Sequence, residues 1–193
     1  MDKNYTGELF EDARKSAIDM VVKNHYTRGV PSGKSHYFQF REAIVVWSIP
    51  ANKNIAKFLL GYHGVVWELS RLWAPDGHEP NLLTQAISHG VKFIRQVEKP
   101  DILVSYADPN AGHTGGVYKA ASWILHGRSE EVRTYRDASG QTCARRAFHS
   151  GKKSLKKAEI EAMGYIELKL PGKIRFVHPI SRRAKKSVAS FNR

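Results

Sequence analysis

The chain has 193 residues, 41% of them hydrophobic, which is enough for a packed core and too much for a disordered polyelectrolyte. Its formal net charge is +13 and its pI about 9.9, a balance that favours polyanionic partners over acidic ones. One cysteine, Cys143, excludes an internal disulfide and a cysteine-rich zinc site and fits a reducing cytosol, while no apolar run has the length to span a bilayer and the first residues carry no apolar leader core.

Taken in chain order, Phe10, Ala13, Ala17, Met20 and Val21 recur at helical spacing and predict a helix over about 6–23, capped by Thr6. The turn-rich segment 25–34 reads as a loop. Its Pro31-Ser-Gly-Lys-Ser35 is one residue short of phosphate-loop spacing, which argues against nucleotide hydrolysis. Strands are expected at 36–41, 43–49 and 65–73, with 51–62 undecided between helix and irregular chain. Asn81 is expected to cap a helix that ends before Pro100, and a strand follows over 101–107. A longer helix is expected over about 113–126, stopped by Gly127. Strands at 131–136 and 141–148, a short helix after Ser154, and a hairpin of 165–170 with 173–178 turning at Pro171-Gly172 complete the pattern. The tail 181–193 is expected to fray without a partner. The alternation implies a single α/β domain, 1–193: a mixed central sheet flanked by helices, largely parallel at its centre and antiparallel at both ends, with a basic C-terminal hairpin and tail.

The charge is uneven. Residues 144–193 hold 14 Lys/Arg against 3 Asp/Glu, and no acidic residue follows Glu167. Phosphate contacts with double-stranded DNA are the expected use, through Arg145, Arg146, Lys152, Lys153, Lys173, Arg175, Arg182, Arg183, Lys185 and Lys186. The stretch lacks the bulky apolar anchors of a membrane-surface helix.

Two polar clusters follow apolar strands, where open α/β sheets bind ligands: Glu68-Leu-Ser-Arg-Leu-Trp73 and Ser105-Tyr-Ala-Asp-Pro-Asn-Ala-Gly-His113. Strict alternation along the first would put Leu69, Arg71 and Trp73 on one face and Glu68, Ser70 and Leu72 on the other. Arg71 is expected to pair with Asp108 across neighbouring strands; Asp108, held extended before Pro109, would act as general base or orient an amine. Tyr106, Tyr118 and Trp123 are candidates to stack on a flipped base, although Trp123 also has core spacing. His25, Tyr26 and Asp108 are the candidate ligands of an open metal site, iron or zinc, with His113 nearby, at a spacing that is not diagnostic.

The strings Glu68-Leu-Ser-Arg-Leu72, Ser105-Tyr-Ala-Asp-Pro109, Gly112-His113 and Tyr118-Lys-Ala-Ala-Ser-Trp123 resemble the Mom family of phage DNA-modification proteins over roughly 25–127, with a weaker echo in 173–179. The resemblance implies kinship with GNAT acetyltransferases and conversion of adenine N6 in duplex DNA to a methylcarbamoyl-type adduct that protects phage DNA from host restriction, in the host cytoplasm. It carries over Arg71, Tyr106 and Asp108 as site residues, with Ser70, Ser105, His113 and Tyr118 nearby and the His25-Tyr26 loop facing them. Ordinary GNAT enzymes grip coenzyme A pyrophosphate with a glycine-rich turn at a helix start. This chain has Asp76-Gly-His-Glu-Pro-Asn81 there, with two acids and one glycine. The donor is therefore open, with acetyl-CoA, another acyl donor and an iron-assisted step all compatible with the sequence. Two other readings fit the residues: a GNAT-type acyltransferase acting on a hypermodified base amine, a protein or an RNA, and a DNA-binding protein without catalysis. No pattern decides the oligomeric state, a homodimer included.

Overall fold

The structure is a computed structural model and describes residues 11–25, 27, 29–150 and 153–191. Helix α1 (Glu11–Asn24) covers part of the expected first helix, and the expected cap at Thr6 lies outside the described residues. Strands β1 (Ser35–Phe40), β2 (Ala43–Ser48) and β3 (Val66–Trp73) form an antiparallel run, with the short helix α2 (Ile55–Leu60) settling the undecided stretch before β3. Helix α3 (Leu82–Glu98) leads to β4 (Ile102–Ala107), which pairs in parallel with β3. Asn81 stands at the start of α3 in a left-handed conformation, and its side chain makes no capping bond. Then come α4 (Gly116–Ala120), β5 (Ile124–Arg128), β6 (Val132–Arg136), β7 (Thr142–Ala144), β8 (His149–Ser150), β9 (Lys153–Ser154), α5 (Lys157–Ala162), β10 (Ile166–Leu170), β11 (Ile174–Pro179) and α6 (Arg182–Phe191).

The main sheet has six strands in the order β1-β2-β3-β4-β11-β5. β3–β4 is its one parallel pair, so the centre is less parallel than alternation alone predicts. β2 reads Ala-Ile-Val-Val-Trp-Ser and is buried at every position, because both faces are covered. Val45 and Trp47 face the apolar stripe of α3, formed by Leu82, Ala86, Ile87, Val91 and Ile94, whereas Ile44 and Val46 face Ala17 and Val21 of α1.

Four expectations about chain path need correction. The helix expected over 113–126 stops at Ala120; Ser122 takes a left-handed conformation (φ 61°), and Ile124–Arg128 pairs with β11 as a strand. Gly127 is not a helix stop but sits beside the irregularity of that pairing. The strand expected over 141–148 ends at Ala144 and turns into a 3-10 segment, Arg145–Phe148. The terminal hairpin does not form, because β10 joins β6 and β7 in a separate three-stranded sheet while β11 enters the main sheet between β4 and β5. Gly172 marks the divide, lying so close to Ser129 that a Cβ would fall 1.9 Å from its carbonyl oxygen.

The tail also differs from expectation. It is helical, with Ala184 and Val188 buried against Leu59, Ile102 and Val177. Burying a valine contributes on the order of 2 kcal/mol, which helps to hold the helix in place despite its charge. Among the described residues no helix is long and apolar enough to cross a membrane.

Segment 129–173 thus leaves the main sheet after β5 and returns at β11. The two ends meet in a narrow neck: Ser129 N–H donates to Lys173 O (2.8 Å), and Lys173 N–H donates to the Ser129 hydroxyl (2.9 Å). The arm it forms packs mainly on itself, with Tyr135, Phe148 and Tyr165 in edge contacts.

Candidate functional site

The site starts from a register fault. Trp47 stands opposite Leu69 and Val46 opposite Arg71, so Ser70 is an extra residue in β3. The bulge reverses the alternation expected from sequence: Leu69 and Leu72 both join the α3 core, and Trp73 turns to the α1 side. Arg71, opposite Val46, falls on that second side together with Glu68. The Ser70 hydroxyl donates to Val46 O (3.1 Å) at the bulge.

The β3–β4 ladder ends at Leu69 opposite Ser105, while β3 runs on to Trp73 and β4 to Ala107. The gap between the strands opens a cleft of about 340 Å³, at the lower end of the usual range for ligand pockets, roughly 300–1,000 Å³. One wall is apolar, with Leu72, Leu83, Val117 and Tyr118. The other carries His25, Arg71, Tyr106 and His113. The glycine-rich run 112–116 forms the rim. Gly115 has φ +81°, and a Cβ there would lie 2.2 Å from Phe176, so no other residue fits.

Ser105 is fully buried below the cleft. Its hydroxyl donates to Leu69 O (2.8 Å), across the last rung of the ladder, and lies 2.8 Å from the Tyr118 hydroxyl. Tyr118 is fixed in turn against Phe176 and Trp123 (centroids 5.2 and 5.7 Å). Trp123 is core, 4% exposed and stacked on Trp47, so it is unavailable to a base; Tyr106 and Tyr118 are the aromatics that line the cleft.

Arg71 and Asp108 do not pair. Arg71 donates through Nε to Gly29 O (3.0 Å) and through Nη1 to Ser70 O (2.5 Å). Asp108 instead meets Lys173 Nζ (3.2 Å) and accepts from the backbone and side-chain N–H groups of Asn110 (3.0 and 3.1 Å). The reason is the bulge, which aims Arg71 at the loop after α1. Asp108 is drawn to the foot of the arm, where Asn110 also donates to Pro171 O (3.1 Å).

Arg71 gives the cleft's polar wall a fixed positive charge. Burial, then the charges of Arg71, His113 and Lys173, lower the His25 pKa to about 4. Its Nδ1 lies 2.9 Å from the Thr27 hydroxyl and accepts from the Thr27 amide (3.3 Å), which leaves Nε2 to carry the proton of the neutral ring. Glu68 is shifted the other way: burial raises its pKa, and Arg71 and Lys173 partly offset this. Burial and then the Glu68 charge raise the Tyr106 pKa. Sequence reading quoted Glu68 in its motif and gave it no role; the Ser70 bulge places Glu68 and Arg71 on one side, and no local sequence pattern signals it.

Tyr26, a candidate metal ligand, lies outside the described residues, and His25 and Asp108 already have the partners named above. Among the described residues no three His, Cys, Asp or Glu side chains are grouped to hold a metal ion. In the loop before α3, Leu82 N–H is taken by Glu79 O (3.2 Å), and the Glu79 carboxylate pairs with Arg41 (2.8 Å).

The cations expected on DNA are scattered. Arg175 is buried, 8% exposed, with its guanidinium 4.6 Å from the Phe58 ring and donating to Arg128 O (3.0 Å). It cannot reach a phosphate outside. Arg145 donates to Leu155 O and lies over Tyr135, an internal brace of the arm. Lys173 is committed to Asp108. Arg182, Arg183, Lys185 and Lys186 are exposed on α6, with Arg183 over Tyr62 (3.6 Å). Lys152 and the side chains of Arg146 and Lys153 lie outside the described residues.

A family model described as the Mom protein family matches residues 10–193, nearly the whole chain. The chain matches no curated protein.

Proposed function

The chain belongs to the Mom protein family of phage DNA-modification proteins, and we propose that it converts adenine N6 in double-stranded DNA to a methylcarbamoyl-type adduct that shields phage DNA from restriction. The observation that carries this reading is the cleft at the β3–β4 gap, with one apolar, aromatic wall and one polar wall that carries Arg71. A base taken out of the duplex needs an aromatic face to replace its lost stacking, and Tyr118 and Tyr106 supply one. A donor that develops negative charge needs fixed positive groups, and Arg71 stands at the bulge for that purpose.

In the reaction a bond forms between N6 and the donor's electrophilic carbon. One N6 proton is released, and the donor's leaving group departs with its electron pair. Adenine N6 is a poor nucleophile, so positioning dominates. Arg71, Tyr106, His25 and His113 are the groups that meet substrate. Asp108 acts one step removed: it holds Lys173, and its carbonyl accepts from His113 N–H (3.0 Å). The GNAT-type reading with an acyl donor takes second place; pairing of Glu79 with Arg41 lightens the repulsion that a pyrophosphate would meet before α3.

Nucleoside mass spectrometry of DNA from bacteria expressing the chain tests the reading, with Tyr106→Ala and Asp108→Asn beside the wild type. A new adenine nucleoside is expected, reduced in both variants and not abolished by Asp108→Asn. An adduct on another base would refute the adenine assignment.

A further inference from the structure

We infer that a second, smaller groove beside the cleft binds a backbone phosphate of the DNA next to the target base, and that the duplex lies over the foot of the arm and not over α6. The inference rests on the DNA-modification reading and adds the place where the strand is held.

The groove is lined by Thr114, Lys119, Leu125, Gly127, Arg128 and Ile174. Thr114 also lines the cleft, so the two cavities are neighbours across one residue. Lys119 and Arg128 are exposed, and no acidic residue lines the groove. The one hydrogen bond of the Arg128 guanidinium among the described residues is a long contact to Gly172 O (3.4 Å). Gly127 adds no side chain between the two cations. Two cations, a hydroxyl and no carboxylate suit a phosphodiester, which takes charge-assisted bonds from Arg and a point charge from Lys.

Topology sets the direction of the strand. Ile174 stands opposite Ala107 on one side and Arg128 on the other, so the groove and the foot of the arm share the cleft end of the sheet. α6 starts at the other end: Pro179 stands opposite Ile102, and Ile180 and Ser181 N–H groups both donate to Asp101 O (2.8 and 3.0 Å). At about 3.3 Å per residue, the basic first turn of α6 is one strand length, roughly 17 Å, from the cleft. The arm adds Arg133 and Lys169, which stand directly opposite each other on β6 and β10. Opposed like charges cost stability, an arrangement that a phosphate relieves. The Arg133 guanidinium lies at the margin of an ion pair with Glu167 (4.0 Å), whose carboxylate sits closer to Lys157 (2.7 Å).

The test is binding of the full chain to a short duplex oligonucleotide, followed by fluorescence anisotropy across a salt series. Wild type is compared with a Lys119→Gln/Arg128→Gln double variant and an Arg182→Gln/Lys185→Gln/Lys186→Gln triple variant. The altered side chains are exposed, and matching circular dichroism and Tm establish that each variant folds. The double variant is expected to flatten the slope of log K against log salt by about one, the loss of one phosphate contact. The triple variant should change it by less than that. An unchanged slope in the double variant, or an equal or larger change in the triple variant, overturns the groove. Nucleoside analysis of the same wild-type protein keeps the two claims apart: an adduct with an unmoved slope removes the groove alone, and a moved slope without an adduct removes the adenine reading alone.

Discussion

Lys173 Nζ lies 3.2 Å from the Asp108 carboxylate, and this contact ties the foot of the arm to the carboxyl end of β4. Asp108 is 14% exposed and Lys173 36%, so the pair is only partly screened. Lys173→Met is expected to cost about 1 kcal/mol and to raise the rate of proteolysis within 129–173. A double-mutant cycle with Asp108→Asn should return a coupling of similar size. Independent, additive effects of the two substitutions would show that the contact carries no coupling.

Gly115 and Gly112 both have positive φ, +81° and +78°, and differ in what surrounds them. An added Cβ at Gly115 meets the Phe176 ring, whereas nothing lies within 4 Å at Gly112. Gly112→Ala should cost about 1 kcal/mol of backbone strain, and Gly115→Ala about 3 kcal/mol or more, because overpacking adds to the strain. Chemical denaturation measures both. Equal costs would mean that Phe176 yields freely.

Tyr118→Phe removes the hydroxyl that reaches Ser105 and leaves Ser105 its bond to Leu69 O. The expected cost is about 1 kcal/mol. Ser105→Ala removes the link to both and should cost more, about 2 kcal/mol, as the Leu69 carbonyl and the phenol each lose a buried partner. The reverse order in denaturation midpoints would contradict the network.

His25 makes stability depend on pH. Its ordinary pKa is 6.5, and in the fold it is held near 4 by burial and by Arg71, His113 and Lys173. Between these values the unfolded chain binds more protons, so this contribution is complete above pH 6.5 and is lost as pH falls to 4. It amounts to about 3 kcal/mol at 1.36 kcal/mol per unit. Glu68 acts with the opposite sign, because its raised pKa favours the neutral form and its contribution falls as pH rises past the ordinary carboxylate range. The difference in unfolding free energy between wild type and His25→Asn should therefore grow from pH 4 to 6.5 and level off above it. A pH-independent difference would mean that the ring is not held neutral.

Much of this architecture was legible because periodicity follows burial. β2 and the α3 stripe read directly, and both polar clusters fall at the strand gap, since strands that end beside each other must leave their last residues at one edge. Contacts set by long-range geometry were not legible. A one-residue bulge at Ser70 redirects Arg71, and no local pattern in Glu68-Leu-Ser-Arg-Leu72 announces it. The Pro171-Gly172 turn reads as a hairpin, but the strands on either side join different sheets because Gly172 packs against Ser129, 43 residues earlier in the sequence. Charge density singled out α6 and Arg175. Burial removes Arg175 and topology moves α6 to the far end, while Lys119 and Arg128 line the groove beside the cleft from segments of unremarkable charge.

The most direct measurement is nucleoside mass spectrometry of DNA from cells expressing wild type and Arg71→Ala at matched soluble levels. A modified adenine in the wild-type sample that disappears with Arg71→Ala is the predicted result, because Arg71 lines the cleft and brings a fixed positive charge to it. The same adduct at undiminished yield in the variant would contradict chemistry at the β3–β4 gap.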